Sequence, residues 1–312
     1  GFGFSLGLQV IIARRNGEQW YAETGKTFFQ GLFFLLILAV LLCLLSKIFS
    51  PVLLKHLITS DDVYNAVIRY LDWRIWGLLF SFPFLALRSF LVGITQTKAL
   101  NMAAFTAVLV NIPLNWLLIF GFDMGISGAA IASSFAEMCS LAILAAYMFR
   151  HIDKKVYGLY WHIDITILKE VFSISVWSML QFFTSVAIWF LFFVAIERLG
   201  ETELAVSNIV RSVSALFSVI VNALAGVTGS LVSNLIGAGE KKKVFPLCHK
   251  IIRLGYATGI PLIAFALFFH QHIIGAYTEN TAIVQLAWPP FLVMLLNYFF
   301  ALPSYVYLNA TT

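Results

Sequence analysis

Residues 27–50, TFFQGLFFLLILAVLLCLLSKIFS, contain one charged side chain, Lys47, near their far end. Coiled as helix, such a run of roughly 20 residues or more crosses about 30 Å of hydrocarbon. Comparable runs recur along the whole chain, which is what most constrains its fold. We read one partial span at 1–13 and eight full ones at 27–50, 75–95, 100–121, 127–149, 169–196, 205–237, 251–275 and 281–312. With 61% of residues hydrophobic and 11% charged, a soluble domain has too little polar surface to cover such a chain. The fold class expected is an all-α membrane protein, a polytopic helical bundle whose first partner is the lipid bilayer. No segment reads as a signal peptide, since a charged leader and a small-residue cleavage site are both missing.

Charge placement gives the orientation, because Lys and Arg are retained on the cytoplasmic side of short loops. If the loops after residues 13, 95, 150 and 237 are cytoplasmic, that side collects Arg14, Arg15, Lys26, Arg88, Lys98, Arg150, Lys154, Lys155, Lys169, Lys241, Lys242, Lys243, Lys250 and Arg253. The opposite side holds Lys47, Lys55, Arg69, Arg74 and Arg198, together with most of the acids, among them Asp61, Asp62, Asp123, Glu197 and Glu201. Topology therefore explains the net charge of +5, and GEKKK at 239–243 needs no nucleic-acid partner. Cys43, Cys139 and Cys248 lie in or beside spans without metal-ligand spacing, as packing residues do.

The chain repeats itself. GLQVIIARRNGE (7–18) is echoed by GSLVSNLIGAGE (229–240), pairing Gly7 with Gly229, Gly17 with Gly239 and Glu18 with Glu240 at a constant offset of 222. A second echo lays 71–97 over 286–312, pairing Trp73 with Trp288, Leu87 with Leu302 and Thr97 with Thr312. Six spans separate the copies, an even number, so both halves run the same way through the membrane. The expected plan is two parallel six-helix lobes: 1–150, a cytoplasmic inter-lobe linker at 151–168, and 169–312. Doubled bundles suit alternating access at the seam between similar halves. The repeated Gly-Glu reads as a helix terminator, with Gly17 and Gly239 supplying positive φ. Gly128, four residues before Ala132 in GISGAAIASS, reads as a close-packing site.

Polar residues inside spans are the functional candidates, since each must find a partner away from lipid. Asn111 and Asn115 share a helical face around Pro113; they offer oxygens to a hard cation, hydrogen bonds to a ligand, or bonds between helices. Glu137 is the acid placed at membrane depth, either to bind a proton or cation or to hold an Arg or hydroxyl partner. Arg211, one turn from Asn208, is the base placed well inside a span, with a gating or salt-bridge role expected. Gln181, Asn297 and Asn309 complete the candidates. No HExxH, GxSxG, Walker-type loop or Cys/His cluster is present, so no catalytic, metal or cofactor site is expected and the protein is read as no enzyme.

Taken as a set, GLQVIIARRNGE, SFLVGITQTK, NIPLNWLLIFGFDMGISGAAIASSFAE and GSLVSNLIGAGE resemble the multidrug and toxic compound extrusion (MATE) family over nearly the whole sequence. The resemblance implies twelve helices in a full-length protein, of which this chain runs from the second to the tenth. It also implies a monomer in a bacterial cytoplasmic (inner) membrane that exports amphipathic or cationic xenobiotics against inward flow of Na+ or H+. At the position of Asn115 the family often carries an acid, and some relatives carry a cation-binding Glu near Gln181. Alternatives of other kinds are a flippase for lipid-linked saccharides, which would line its cavity with several cations, and a non-transporting scaffold.

Overall fold

The computed structural model describes residues 1–58, 60–161 and 163–311. Thr312, which ends the second repeat copy and the last expected span, and His162 of the expected linker lie outside the described residues. The described chain is helical almost throughout: α1 Phe2–Gly17, α2 Tyr21–Leu57, α3 Asp61–Arg74, α4 Leu78–Gly93, α5 Lys98–Trp116, α6 Gly125–His151, α7 Ile165–Glu197, α8 Glu201–Gly237, α9 Val244–Phe268, α10 His270–Gly275 and α11 Thr281–Thr311. Among the described residues, eight helical stretches are long and apolar enough to cross a membrane, and each overlaps one of the eight full spans read from sequence, although the span expected at 251–275 is broken, with α9 ending at Phe268 and α10 starting at His270. The polar stretch before α4 is itself helical. Ser60 caps α3 by accepting from the Val63 N–H, and a 3₁₀ turn, Ile75–Gly77, joins α3 to α4.

Contacts divide the chain into two compact units, Gly1–Met179 and Leu180–Thr312. In the first, α1 packs on α2 and α4, α2 on α4, and α6 on α3, α4 and α5. Its centre is apolar, with Phe4, Leu8, Ile12, Phe28, Phe90 and Leu91 fully buried. Because hydrocarbon is as apolar as these side chains, close approach through small residues and a few polar bonds must hold the helices together. A Cβ on Gly7 would meet Ser175 Cα at 2.6 Å, and one on Gly3 would meet Met179 Cα at 2.8 Å, so α1 lies directly on the first half of α7. Ser175 Oγ donates to the Phe4 carbonyl at 3.3 Å, and Ser89 Oγ of α4 donates to the Ser5 carbonyl at 2.6 Å. Residues after α6 fold back onto the start of α2, where Tyr157 meets Tyr21 and Phe90 edge-on. Burial there pushes the Tyr157 hydroxyl pKa up.

The second unit contains the rest of α7 with α8 to α11, and α8, α9 and α11 pack on one another. Two tyrosines join α9 to α11: Tyr298 Oη donates to the Gly255 carbonyl at 2.8 Å, and Tyr256 Oη to the Phe299 carbonyl at 2.7 Å. Gly259 has no room for a Cβ because the Tyr298 ring lies against it.

The expected terminator at Gly17 is displaced. In α8 the Gly239 N–H donates to the Ile236 carbonyl and the Glu240 N–H to Leu235, with Gly239 at φ +75. The same two bonds close α1, but from Gln19 to Asn16 and from Trp20 to Arg15, and Gln19 takes φ +63. Gly17 remains in the helix, because Glu18 keeps helical angles and bridges back to Arg14 at 3.1 Å. The paired turns thus sit two residues out of step with the paired sequences. Gly128 behaves as expected, since its Cβ would meet the Leu118 backbone at 2.9 Å.

Candidate functional site

In the second unit, three helix faces line an open cavity of about 750 Å³. From α7 come Val186, Trp189, Phe190 and Phe193; from α8, Arg211, Ser214, Ser218, Val221 and Asn222; from α11, Met294, Asn297, Tyr298, Ala301 and Tyr305. On each helix these residues recur in steps of three or four, with adjacent pairs at 189/190, 221/222 and 297/298, so each helix presents one stripe. The α8 stripe is polar at Arg211, Ser214, Ser218 and Asn222, while the α7 stripe is aromatic. Arg211 Nη2 donates to Asn208 Oδ1 at 3.2 Å, and the guanidinium lies over the Phe193 ring at 4.9 Å. A fixed cation at membrane depth costs about 2.5–3.5 kcal/mol. The ring contact returns about 0.5–2 kcal/mol of that.

Arg211, Asn208 and Asn297 therefore come together in or beside one cavity. Gln181 lies further back on α7, where its carbonyl accepts from Ser185 Oγ, and Asn309 donates from its side chain to the Tyr305 carbonyl. Neither lines the cavity. Ser214, Ser218, Asn222 and Tyr305 were not singled out from the sequence, although their spacing from Arg211 or Asn297 carried the signal.

The first unit holds the remaining candidates. Asn115 Nδ2 donates to Asn111 Oδ1 at 2.8 Å, and Asn111 Nδ2 reaches Ser133 Oγ of α6 at 3.5 Å. Pro113 cannot donate to the helix, and three residues later α5 gives way to a π turn, Leu117–Gly121, closed by Phe122 N–H to the Leu117 carbonyl. Gly128 packs on that turn, so NIPLNWLLIFG and GISGAA form one local assembly.

Glu137 is held by Arg74, whose Nη2 and Nη1 donate to its two carboxylate oxygens at 2.6 and 3.0 Å. Gly77 makes room for this fork: a Cβ there would meet Arg74 Nη1, Ser134 Oγ at 2.8 Å and Glu137 Oε2 at 2.9 Å. Arg211 is not the only base inside a span. Arg88, counted above with the cytoplasmic loops, lies within α4, five residues short of its end. Its guanidinium sits over Phe2 at 5.7 Å, and Nη1 is buried with no hydrogen-bond partner among the described residues. Counting charge by loop misses a cation one and a half turns inside a helix.

Eight apolar spans in a strand-free described chain, with a cavity between three of them, define the class of polytopic helical membrane proteins. The sequence model of the MatE family matches residues 1–117 and 178–311, and the chain belongs to that family. It is 24% identical over 298 residues to the multidrug resistance protein NorM of Vibrio cholerae, covering 92% of this chain and 64% of NorM. It is likewise 24% identical over 291 residues to a probable multidrug resistance protein NorM of Geobacillus kaustophilus, covering 91% of this chain and 64% of that protein. The chain thus spans a little under two thirds of the length of these relatives. A crystal structure of MATE in complex with MaD3S superposes with a TM-score of 0.87 at 20% identity, over 99% of this chain and 70% of that one, which establishes a shared fold.

Proposed function

We propose that the protein is a secondary antiporter of the bacterial inner membrane, exporting amphipathic organic compounds in exchange for Na+ or H+ by alternating access. The observation that carries this reading is the 750 Å³ cavity of the second unit, aromatic on α7 and polar on α8 and α11, in a chain of the MatE family. Its volume suits a drug-sized ligand, and its walls offer stacking beside a few hydrogen bonds. The organic-cation preference implied by the resemblance has the aromatic wall in its favour and Arg211 against it, since like charge repels. Asn111 and Asn115 supply carbonyl oxygens that suit a hard coupling cation. The cation is cargo, and no bound cofactor is needed. Substrate and cation are the partners of a protein that works as a monomer. A flippase for a pyrophosphate-linked lipid calls for several cations, and Arg211 is the one cation lining this cavity among the described residues.

The test is efflux of a fluorescent amphipathic dye from cells expressing the protein, with Na+ and H+ gradients imposed separately. Efflux accelerated by either gradient and weakened by Asn297→Ala supports the reading. Correct membrane insertion with no efflux under either gradient overturns it in favour of the flippase or the scaffold.

A further inference from the structure

The charge of the second unit's cavity is unbalanced. Among the described residues Arg211 is its one ionic lining residue, and no Asp or Glu pairs with it. The nearest acids in sequence, Glu201 and Glu203 at the start of α8, lie about 12–15 Å away along the helix axis. Asn208 takes one N–H of the guanidinium and Phe193 takes one face, leaving further donors for an occupant. Below Arg211 the α8 stripe adds hydroxyl and amide donors at Ser214, Ser218 and Asn222, and Trp189 and Phe190 face them from α7.

Arg211 is exposed at the open face of a largely apolar cleft with no acid beside it among the described residues, where an anion brought in with the ligand complements it, and the planar fork of Arg matches a carboxylate or sulfonate. We propose that this cavity binds amphipathic aromatic compounds bearing a carboxylate or sulfonate, with Arg211 anchoring the anionic group and the α7 aromatics holding the ring. The inference rests on the cavity being the substrate chamber of the proposed antiporter and adds the charge class of its ligand. It makes Arg211 a binding residue, where the sequence pointed to gating or a salt bridge.

The experiment is a binding titration on protein reconstituted in nanodiscs of zwitterionic lipid. The probes are 2-naphthoate and 2-naphthylmethylammonium, which share a ring system and differ in charge. Quenching of tryptophan emission reports occupancy, and loss of the signal in Trp189→Phe assigns it to this cavity. The expected result is that naphthoate binds at least about tenfold more tightly than the ammonium compound, the effect of one well-placed charged contact. Arg211→Gln should abolish that preference, and Arg211→Lys should keep its sign with a smaller ratio. Equal or tighter binding of the ammonium compound to the unaltered protein, or naphthoate affinity unchanged in Arg211→Gln, overturns the proposal. Should Arg211→Gln fail to fold, the unaltered protein and Arg211→Lys decide the question alone. Because no step requires transport, anion binding without dye efflux refutes only the antiporter reading, and dye efflux without anion preference refutes only this inference.

Discussion

The Arg74–Glu137 pair joins the end of α3 to the middle of α6 and can be measured as a unit. Both side chains are 29% exposed and two bonds of 3.0 and 2.6 Å connect them. Hydrogen bonds to charged groups contribute about 1.5–3 kcal/mol, whereas freely exposed ion pairs contribute about 1 kcal/mol or less. Partial exposure places this pair near 2 kcal/mol. Glu137→Gln and Arg74→Gln should each lower stability by about that amount, and the double variant should lose little more than either alone, a coupling of about 1.5–2 kcal/mol. The assay is unfolding in mixed micelles of rising SDS content, followed by tryptophan fluorescence. Additive losses, with coupling below about 0.5 kcal/mol, would refute the pairing. Gly77→Ala supplies an independent arm. Its Cβ would enter the space of Ser134 Oγ and Glu137 Oε2, so it should reproduce much of the loss without changing a charge.

Gly7→Ala should destabilise by about 1–3 kcal/mol, since the new methyl meets the Ser175 Cα, which cannot rotate away; earlier proteolysis between α6 and α7 would report it. Gly239→Ala should lower the unfolding midpoint by the equivalent of about 1 kcal/mol, because its φ of +75 strains any Cβ. Gln19→Gly should raise the midpoint by a similar amount, relieving φ +63; a loss of stability there would refute the assignment of the turn. Tyr298→Phe should cost about 1 kcal/mol through the bond lost to the Gly255 carbonyl, measured in the same micelles.

The spans were legible because lipid imposes one simple demand, about 20 apolar residues in helix, and all eight full spans answer it. The Asn111–Asn115 bond was legible for a related reason, as four residues make one helical turn. Long-range pairing was not. Nothing around Glu137 names Arg74, which lies 63 residues away on a helix whose polar sequence reads as an outer loop. Arg88 was concealed by the counting rule itself. The cavity was half legible: Arg211 and Asn297 stood out by charge and polarity, while Ser214, Ser218 and Asn222 show only when the period of α8 is traced from Arg211.

The displaced turn of α1 has a geometric consequence. A helix advances about 100° per residue, so two extra residues before the turn rotate the point of exit by about 200°. Measured from the shared Gly-Glu, the connector after α1 departs from nearly the opposite side of its helix to the connector after α8. A duplicated sequence can in this way send each copy's chain off in a different direction, with the left-handed residue at Gln19 in one copy and at Gly239 in the other fixing where it leaves.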